Sequence, residues 1–282
     1  MTLLVFGKSG QVATELARRV PEAVFLGRDR VDLSVPDRMG EAIRALMPSG
    51  VINAAAYTAV DRTEEEEALA TVVNGAAPGV MARTCADLGI PFVHLSTDYV
   101  FDGTGSTPWT GDAPTAPIGA YGRSKLAGEE AVRGAGGIHV ILRTSWVFSA
   151  HGTNFVKTML RVGAERDVLR VVSDQVGGPT PAADISRTCL QVLDLLRKNN
   201  EKSGTYHYSG APDVSWADFA SAIFDLAGME TRVEEIPTSK YPTPAARPLN
   251  SRLDCAQLQA VFGIKRPDWK AGLADVLKEL RA

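Results

Sequence analysis

Apolar residues come in short, unbroken runs over the first half of the chain, and each run gives way to a stretch with helical spacing. Thr2–Phe6 lacks polar alternation, the pattern of a parallel strand covered on both faces. Gly7-Lys8-Ser9-Gly10 breaks it, and Gln11–Val20 then carries Val12, Leu16 and Val20 at helical spacing. Ala23–Leu26, Val51–Ala55, Ile90–Leu95 and His139–Val147 read as further strands, with helices over Arg38–Met47, Asn74–Leu88 and Tyr121–Arg133. Thr63-Glu64-Glu65-Glu66 has the capping-box pattern and predicts a helix start. The alternation predicts an α/β protein with a doubly wound parallel sheet of Rossmann type and right-handed crossovers. Ligands of such sheets bind beyond the carboxyl ends of the strands. Those ends fall at Phe6-Gly7, Arg28, Asn53–Ala56, Ser96–Asp98 and Ser145–Trp146.

The second half is less regular. Helices are expected over Asn154–Glu165, Asp184–Arg197, Trp216–Ala227, Asp254–Phe262 and Trp269–Leu280, and a strand over Thr205–Ser209. Thr238–Asp254 is rich in proline, and no flexible linker separates the halves. A smaller, discontinuous C-terminal lobe is therefore expected against the sheet. The division places residues 1–148 and 182–209 in the sheet domain, and residues 149–181 and 210–282 in the lobe.

Composition removes whole classes of function. Of 282 residues, 45% are hydrophobic and 22% charged, and the formal net charge is −3, as for an ordinary globular protein. No apolar run approaches the ~20 residues that span a bilayer, and no basic segment leads into an apolar one. The expectation is a cytoplasmic protein, neither membrane-bound nor secreted. Without Lys/Arg blocks there is no electrostatic footprint for nucleic acid. Cys85, Cys189 and Cys255 lie far apart on predicted helices, as buried thiols in a reducing compartment would. The four histidines show no close pairing, so no metal site is expected.

Two constellations carry chemistry. Gly7-x-x-Gly10-x-x-Ala13 sits between the first strand and the first helix, where glycines admit a pyrophosphate and the helix N-terminus supplies free amides. A plain tight turn would share this pattern. After the second strand, Arg28 suits the extra phosphate of NADP, whereas the neighbouring Asp29 would suit the ribose of NAD; Arg28 tips the balance to NADPH. The second constellation is Tyr121 and Lys125, one turn apart on a helix, with Thr97 at a strand end 24 residues before Tyr121. An ammonium beside a phenol lowers its pKa from about 10, making Tyr121 a general acid for a carbonyl–alcohol interconversion.

GKSGQV, NAAAYTAVD, STDYVFDG, YGRSKLAGE, RTSWVF, NFVKTMLR, DQVGGPT and YPTPAARPLNSRL follow one another from residue 7 to 253. In this order the chain resembles the dTDP-4-dehydrorhamnose reductases, a family of extended short-chain dehydrogenase/reductases. The resemblance implies NADPH- or NADH-dependent reduction of a nucleotide-sugar C4 ketone, with an NAD(P)-binding sheet domain and a substrate-binding lobe. It places Gly7, Gly10, Gln11 and Val12 at the pyrophosphate, Asp32 and Leu33 at the adenine, and Ala54, Ala55 and Ala56 beside the cofactor. Tyr121 becomes the proton donor, Lys125 the ribose ligand and Thr97 the partner of the substrate oxygen. Asp98 and Trp146 match sugar-pocket positions, and Asn154, Lys157, Arg247 and Arg252 are expected at the nucleotide diphosphate.

Three features bound that expectation. Tyr99, not an acid, follows Asp98, which removes the Asp-Glu pair of related dehydratases. Some family members dimerise around Mg2+ held by glutamates; Glu15 matches one, but Ala183 stands where a second would fall, with Asp184 beyond it, so the chain is expected as a monomer or homodimer without metal. A nucleotide-sugar epimerase of the same fold, or a non-catalytic subunit similar to the methionine adenosyltransferase regulatory subunit, would share the architecture. Intact Thr97, Tyr121 and Lys125 favour the reductase.

Overall fold

The computed structural model describes residues 2–281. The apolar runs become β1 (Leu3–Phe6), β2 (Val24–Leu26), β3 (Gly50–Asn53), β4 (Phe92–Thr97) and β5 (His139–Thr144), joined late in the chain by β10 (Gly204–His207). All six pair in parallel, in the spatial order β10-β5-β4-β3-β1-β2. From β1 the chain winds to β2 on one side and then to β3 on the other. A crevice therefore opens at the carboxyl ends of β1 and β3, where the winding reverses.

Helices cover both faces, which is why the strand sequences do not alternate. Leu4, Phe6, Val51, Phe92 and Ile141 pack with residues of α2 (Asp37–Leu46) and α5 (Ala77–Leu88). Their neighbours Val5, Ile52, Val93, Val140 and Leu142 pack on α1 (Gln11–Arg19), α8 (Ala182–Lys198) and α10 (Ala256–Phe262). α6 (Ala120–Gly134) lies on the first face over β4 and β5. A third core joins Phe148, Leu169, Phe219, Phe224, Trp269 and Leu277. It unites α7 (Phe155–Gly163), α9 (Trp216–Ala227) and α11 (Trp269–Arg281) with the parallel pair β7 (Val168–Val172) and β12 (Arg232–Ile236). Short ladders complete this lobe: β6 (Val147–Phe148) with β9 (Thr180–Pro181), and β8 (Val176–Gly177) between β11 (Val214–Ser215) and β13 (Asn250–Ser251).

The Thr63 capping box does not form. Thr63 ends the short α3 (Val60–Thr63), its hydroxyl turned back on the Val60 carbonyl, and α4 (Glu67–Thr71) begins without a side-chain cap. The acidic run serves other partners. Glu64 accepts the Ala120 amide at 2.9 Å and so caps α6, Glu66 accepts from Tyr57 and Arg62, and Glu67 grips Arg123 at 2.7 Å. A π-helical turn over Val72–Ala76 then leads into α5. All three cysteines are buried free thiols, and burial pushes Cys85 and Cys189 up to about 12, where they are inert. Among the described residues no helix is long and apolar enough to cross a membrane.

Candidate active site

A cleft of about 740 Å3 lies along the crevice. Every residue expected on the cofactor side lines it: Gly7, Gly10, Gln11 and Val12; Arg28, Asp32 and Leu33; Ala54, Ala55 and Ala56; and Tyr121 and Lys125. Gly7 has φ +112°, and a Cβ there would sit 3.2 Å from the Ala54 carbonyl, so the tight approach of β1 to β3 requires glycine. Gly10 caps α1 without a side-chain hydrogen bond, leaving first-turn amides available to an anion. Gln11 ties this end to the lobe: its Nε2 donates to the Val147 carbonyl at 3.3 Å, and its Oε1 accepts from Ser149 and Asn154, both at 2.9 Å. Arg28 is exposed at the rim, while Lys8 pairs with Asp29 at 3.5 Å. The Ser34 backbone amide, helped by the Arg28 charge, holds Asp32 below the usual carboxylate range.

Tyr121 sits in the first turn of α6. A Cβ at Gly122 would fall 2.2 Å from the Tyr99 carbonyl, so glycine lets α6 seat directly on the turn after β4. The expected lowering of the Tyr121 pKa is not found. Burial, reinforced by the Asp98 carboxylate, raises it, against a hydrogen bond with Thr97. Lys125 is not among the groups that act on it, and burial pushes the lysine's own pKa down to about 8. Thr97 donates to Asp98 Oδ1 at 3.1 Å, and burial raises Asp98 to about 6. Among the described residues Asp98 Oδ2 and Thr144 Oγ1 are buried without hydrogen-bond partners, and Thr144 lines the cleft.

A second cavity of about 270 Å3 opens between the sheet and the lobe, lined by Tyr99, Phe155, Arg170, Gln175, Trp216, Tyr241 and Arg247 among others. Tyr121, which lines the cleft, stands edge-on to Tyr99, which lines the cavity, with ring centroids 5.4 Å apart. Trp146, at φ +48°, stacks on Trp216 with centroids 3.5 Å apart and planes 10° from parallel. Left-handed backbone at a bulky residue is strained, and the stack and the backbone bond from Thr180 hold it.

Of the four residues expected at the diphosphate, only Arg247 lines this cavity. It also binds Asp61 at 2.9 Å. Arg252 turns away to Asn250 at 3.0 Å, because the adjoining backbone pairs with Trp109. Asn154 caps α7 and gives its amide to Gln11 and to backbone carbonyls, and Lys157 donates to the Ala150 carbonyl at 3.2 Å. Neither reaches either space. Arg170, Phe155 and Trp216 were not expected; Arg170 interrupts a Val/Leu run, the one sign of an inserted strand that the sequence offers.

Glu15, His151 and Glu279 place possible ligand atoms within 4.8 Å of one another. The Arg18 guanidinium already serves this group, with Nη1 2.8 Å from Glu279, 3.5 Å from Glu15 and 3.2 Å from His151. The half-exposed Arg18 guanidinium thus stands where a divalent metal would have to sit among these groups.

A doubly wound sheet with a glycine-lined crevice, and a Tyr–Lys helix turned into it, define an extended short-chain dehydrogenase/reductase. Within that class the chain belongs to the dTDP-4-dehydrorhamnose reductase family: the family model described as RmlD substrate binding domain matches residues 1–282. The dTDP-4-dehydrorhamnose reductase of Sinorhizobium fredii (strain NBRC 101917 / NGR234) is 44% identical over 279 residues, covering 96% of this chain and 94% of its own. The crystal structure of a dTDP-4-dehydrorhamnose reductase from Clostridium acetobutylicum ATCC 824 is similar over 100% of both chains, with a TM-score of 0.94 at 35% identity. That of the Bacillus anthracis str. Ames enzyme, in complex with NADP, gives 0.91 at 33% identity over 99% of each chain.

Proposed function

We propose that this protein reduces the C4 ketone of dTDP-4-dehydro-6-deoxy-L-mannose with NAD(P)H, forming dTDP-L-rhamnose. The observation that carries this reading is a glycine-lined cleft bearing Tyr121 beside a second, arginine-bearing cavity bearing Tyr99, the two tyrosine rings in edge-on contact. The first cleft fits the cofactor because Gly7 admits a close backbone approach and α1 offers uncapped amides to a pyrophosphate. When bound, the reduced nicotinamide supplies a hydride for C4.

The chain's own residues do the rest. Tyr121 enters with its proton firmly held and passes it to the developing alkoxide, with Thr97 hydrogen-bonding the same substrate oxygen. Lys125 holds the nicotinamide ribose from the same face of α6. Asp98 Oδ2, an orphaned acceptor, takes a sugar hydroxyl, since a buried acceptor without a donor is costly. Trp146 supports the sugar pocket through its stack on Trp216, which lines the second cavity. Arg247, with Arg170 on the same cavity, holds the diphosphate on a chain of net charge −3. NADPH is preferred to NADH because Arg28 stands free at the rim while Lys8 neutralises Asp29. No Mg2+ is needed where Arg18 joins the carboxylates, and the setting is the cytoplasm, where nucleotide sugars are made.

Following NADPH absorbance while the keto sugar is generated in situ tests the reading. Substrate-dependent oxidation is expected. Its absence with both NADPH and NADH would sink the reductase and leave an epimerase or a binding-only protein.

A further inference from the structure

We propose that His94, fixed as its Nε2–H tautomer by Asn53, is a positioning residue that lowers the proton affinity of Lys125 and keeps this lysine exchangeable near neutral pH. Its catalytic consequence rests on the reaction proposed above; the coupling itself does not.

His94 lies in the middle of β4 with no accessible surface, stacked on Phe92. Its Nδ1 is 3.1 Å from Asn53 Nδ2, and its Nε2 is 3.5 Å from Lys125 Nζ. The neighbours decide which nitrogen carries the proton. Asn53 Oδ1 accepts the Ala55 amide at 3.1 Å, so the asparagine must turn its NH2 group to the ring and donate to Nδ1. A neutral imidazole with Nδ1 accepting has its proton on Nε2, aimed at Lys125. The ring stays neutral because burial, the Lys125 charge and His139 all hold its pKa well below the usual histidine value.

An ammonium has three donors and no acceptor, so an N–H directed at it finds no partner. The uncharged amine offers a lone pair to that same N–H. His94 therefore favours the uncharged lysine, in the direction in which burial already acts. The remaining bond of Nζ, to the Leu95 carbonyl at 2.7 Å, is compatible with either form. Glu129, one turn along α6, pulls the other way, but it is shared among Ser96 at 2.6 Å, Arg143 at 2.7 Å and Arg133 at 3.1 Å. His139 on β5 and Tyr121, one turn before Lys125 on α6, are further titratable groups beside this pair. Gly128 makes the juxtaposition possible: a Cβ there would lie 2.1 Å from the Asn74 carbonyl and 3.5 Å from His94 Nε2.

Imidazole 15N NMR on the whole protein reads the tautomer without substrate or cofactor, and with only four histidines His94→Gln assigns the signal. A His94 resonance pair of the Nε2–H form is expected from about pH 6 to about pH 9. The Nδ1–H form would overturn the proposal. Side-chain 15N signals of Lys125 are then titrated in wild type and in two variants. In His94→Gln the amide carbonyl can face the ammonium, and in Asn53→Asp the carboxylate takes the Nδ1 proton and leaves a lone pair towards Lys125. Lys125 should bind its proton about tenfold more tightly in each, one pH unit, and the pH profile of kcat should move with it while KM for NADPH does not. An unmoved Lys125 titration in both folded variants refutes the coupling. Correct NMR behaviour in a protein that never oxidises NADPH would refute the reaction and leave the coupling standing.

Discussion

At the scale of single residues, Tyr121 and Lys125 are held in opposite senses by the same burial. The phenol keeps its proton, as a donor to an alkoxide must, and the ammonium is loosened. Tyr121→Phe should lower kcat at least ~100-fold with the fold intact by circular dichroism, the low end for loss of a general acid. Near-normal turnover would remove Tyr121 from that role. Lys125 also makes stability depend on pH. Its folded pKa of about 8 lies below the ordinary 10.5. Between these values the unfolded chain binds more protons, so stability rises with pH over that window, by about 3 kcal/mol if nothing else titrates. Below it the buried charge destabilises the fold in full. Urea midpoints measured across the window should climb in wild type and stay flatter in Lys125→Met, which should also lose turnover.

At the scale of elements, α6 carries Tyr121 and Lys125 and is placed by several independent contacts. Glu64 caps it, Gly122 seats it on the turn after β4, and the buried Glu129–Arg143 pair ties it to β5. The π-helical turn adds a fourth tie: Asn74 accepts the Tyr57 amide at 2.8 Å and donates to Ser124 Oγ at 3.0 Å, which pins the segment after β3 to α6. Gly122→Ala should therefore cost about 1–3 kcal/mol of overpacking, read by denaturant unfolding, and reduce kcat more than KM by displacing Tyr121. The buried strands and long helices were legible because burial on two faces leaves an apolar run in the sequence. β7 and β12 were not. Arg170, Glu234 and Glu235 break their apolar pattern, and they pair across some sixty residues of intervening chain. Thr63 satisfied a capping pattern that the fold does not use, because a local motif cannot show that Glu64 is wanted by a helix far along the chain. The cofactor-side residues were readable since their spacing is local to strand ends. Arg252 and Asn154 turn elsewhere for reasons the sequence does not show: the backbone beside Arg252 pairs with Trp109, and Asn154 gives its amide to Gln11.

Across the whole molecule, the positive charge at the second cavity is local and in part already paired. Arg247 faces the second cavity but shares its charge with Asp61, and Arg170 does so with Glu234 at 3.5 Å. Arg247→Ala should raise KM for the nucleotide sugar about ten- to a hundredfold, the worth of a charge-assisted bond, with KM for NADPH unchanged in initial-rate measurements. An equal effect on both ligands would place Arg247 outside the sugar-nucleotide site.

The Trp146–Trp216 stack has an optical consequence. Two indoles at van der Waals separation can couple their strong far-ultraviolet transitions, which gives a signed couplet in far-ultraviolet circular dichroism that isolated tryptophans lack. One indole follows β5 and the other opens α9, both against the third core, so the couplet reports how the chain leaving β5 seats on the lobe. Saturating nucleotide sugar should change that signal, Trp216→Phe should abolish it, and the protein would thus carry its own gauge of whether the two halves close on a ligand.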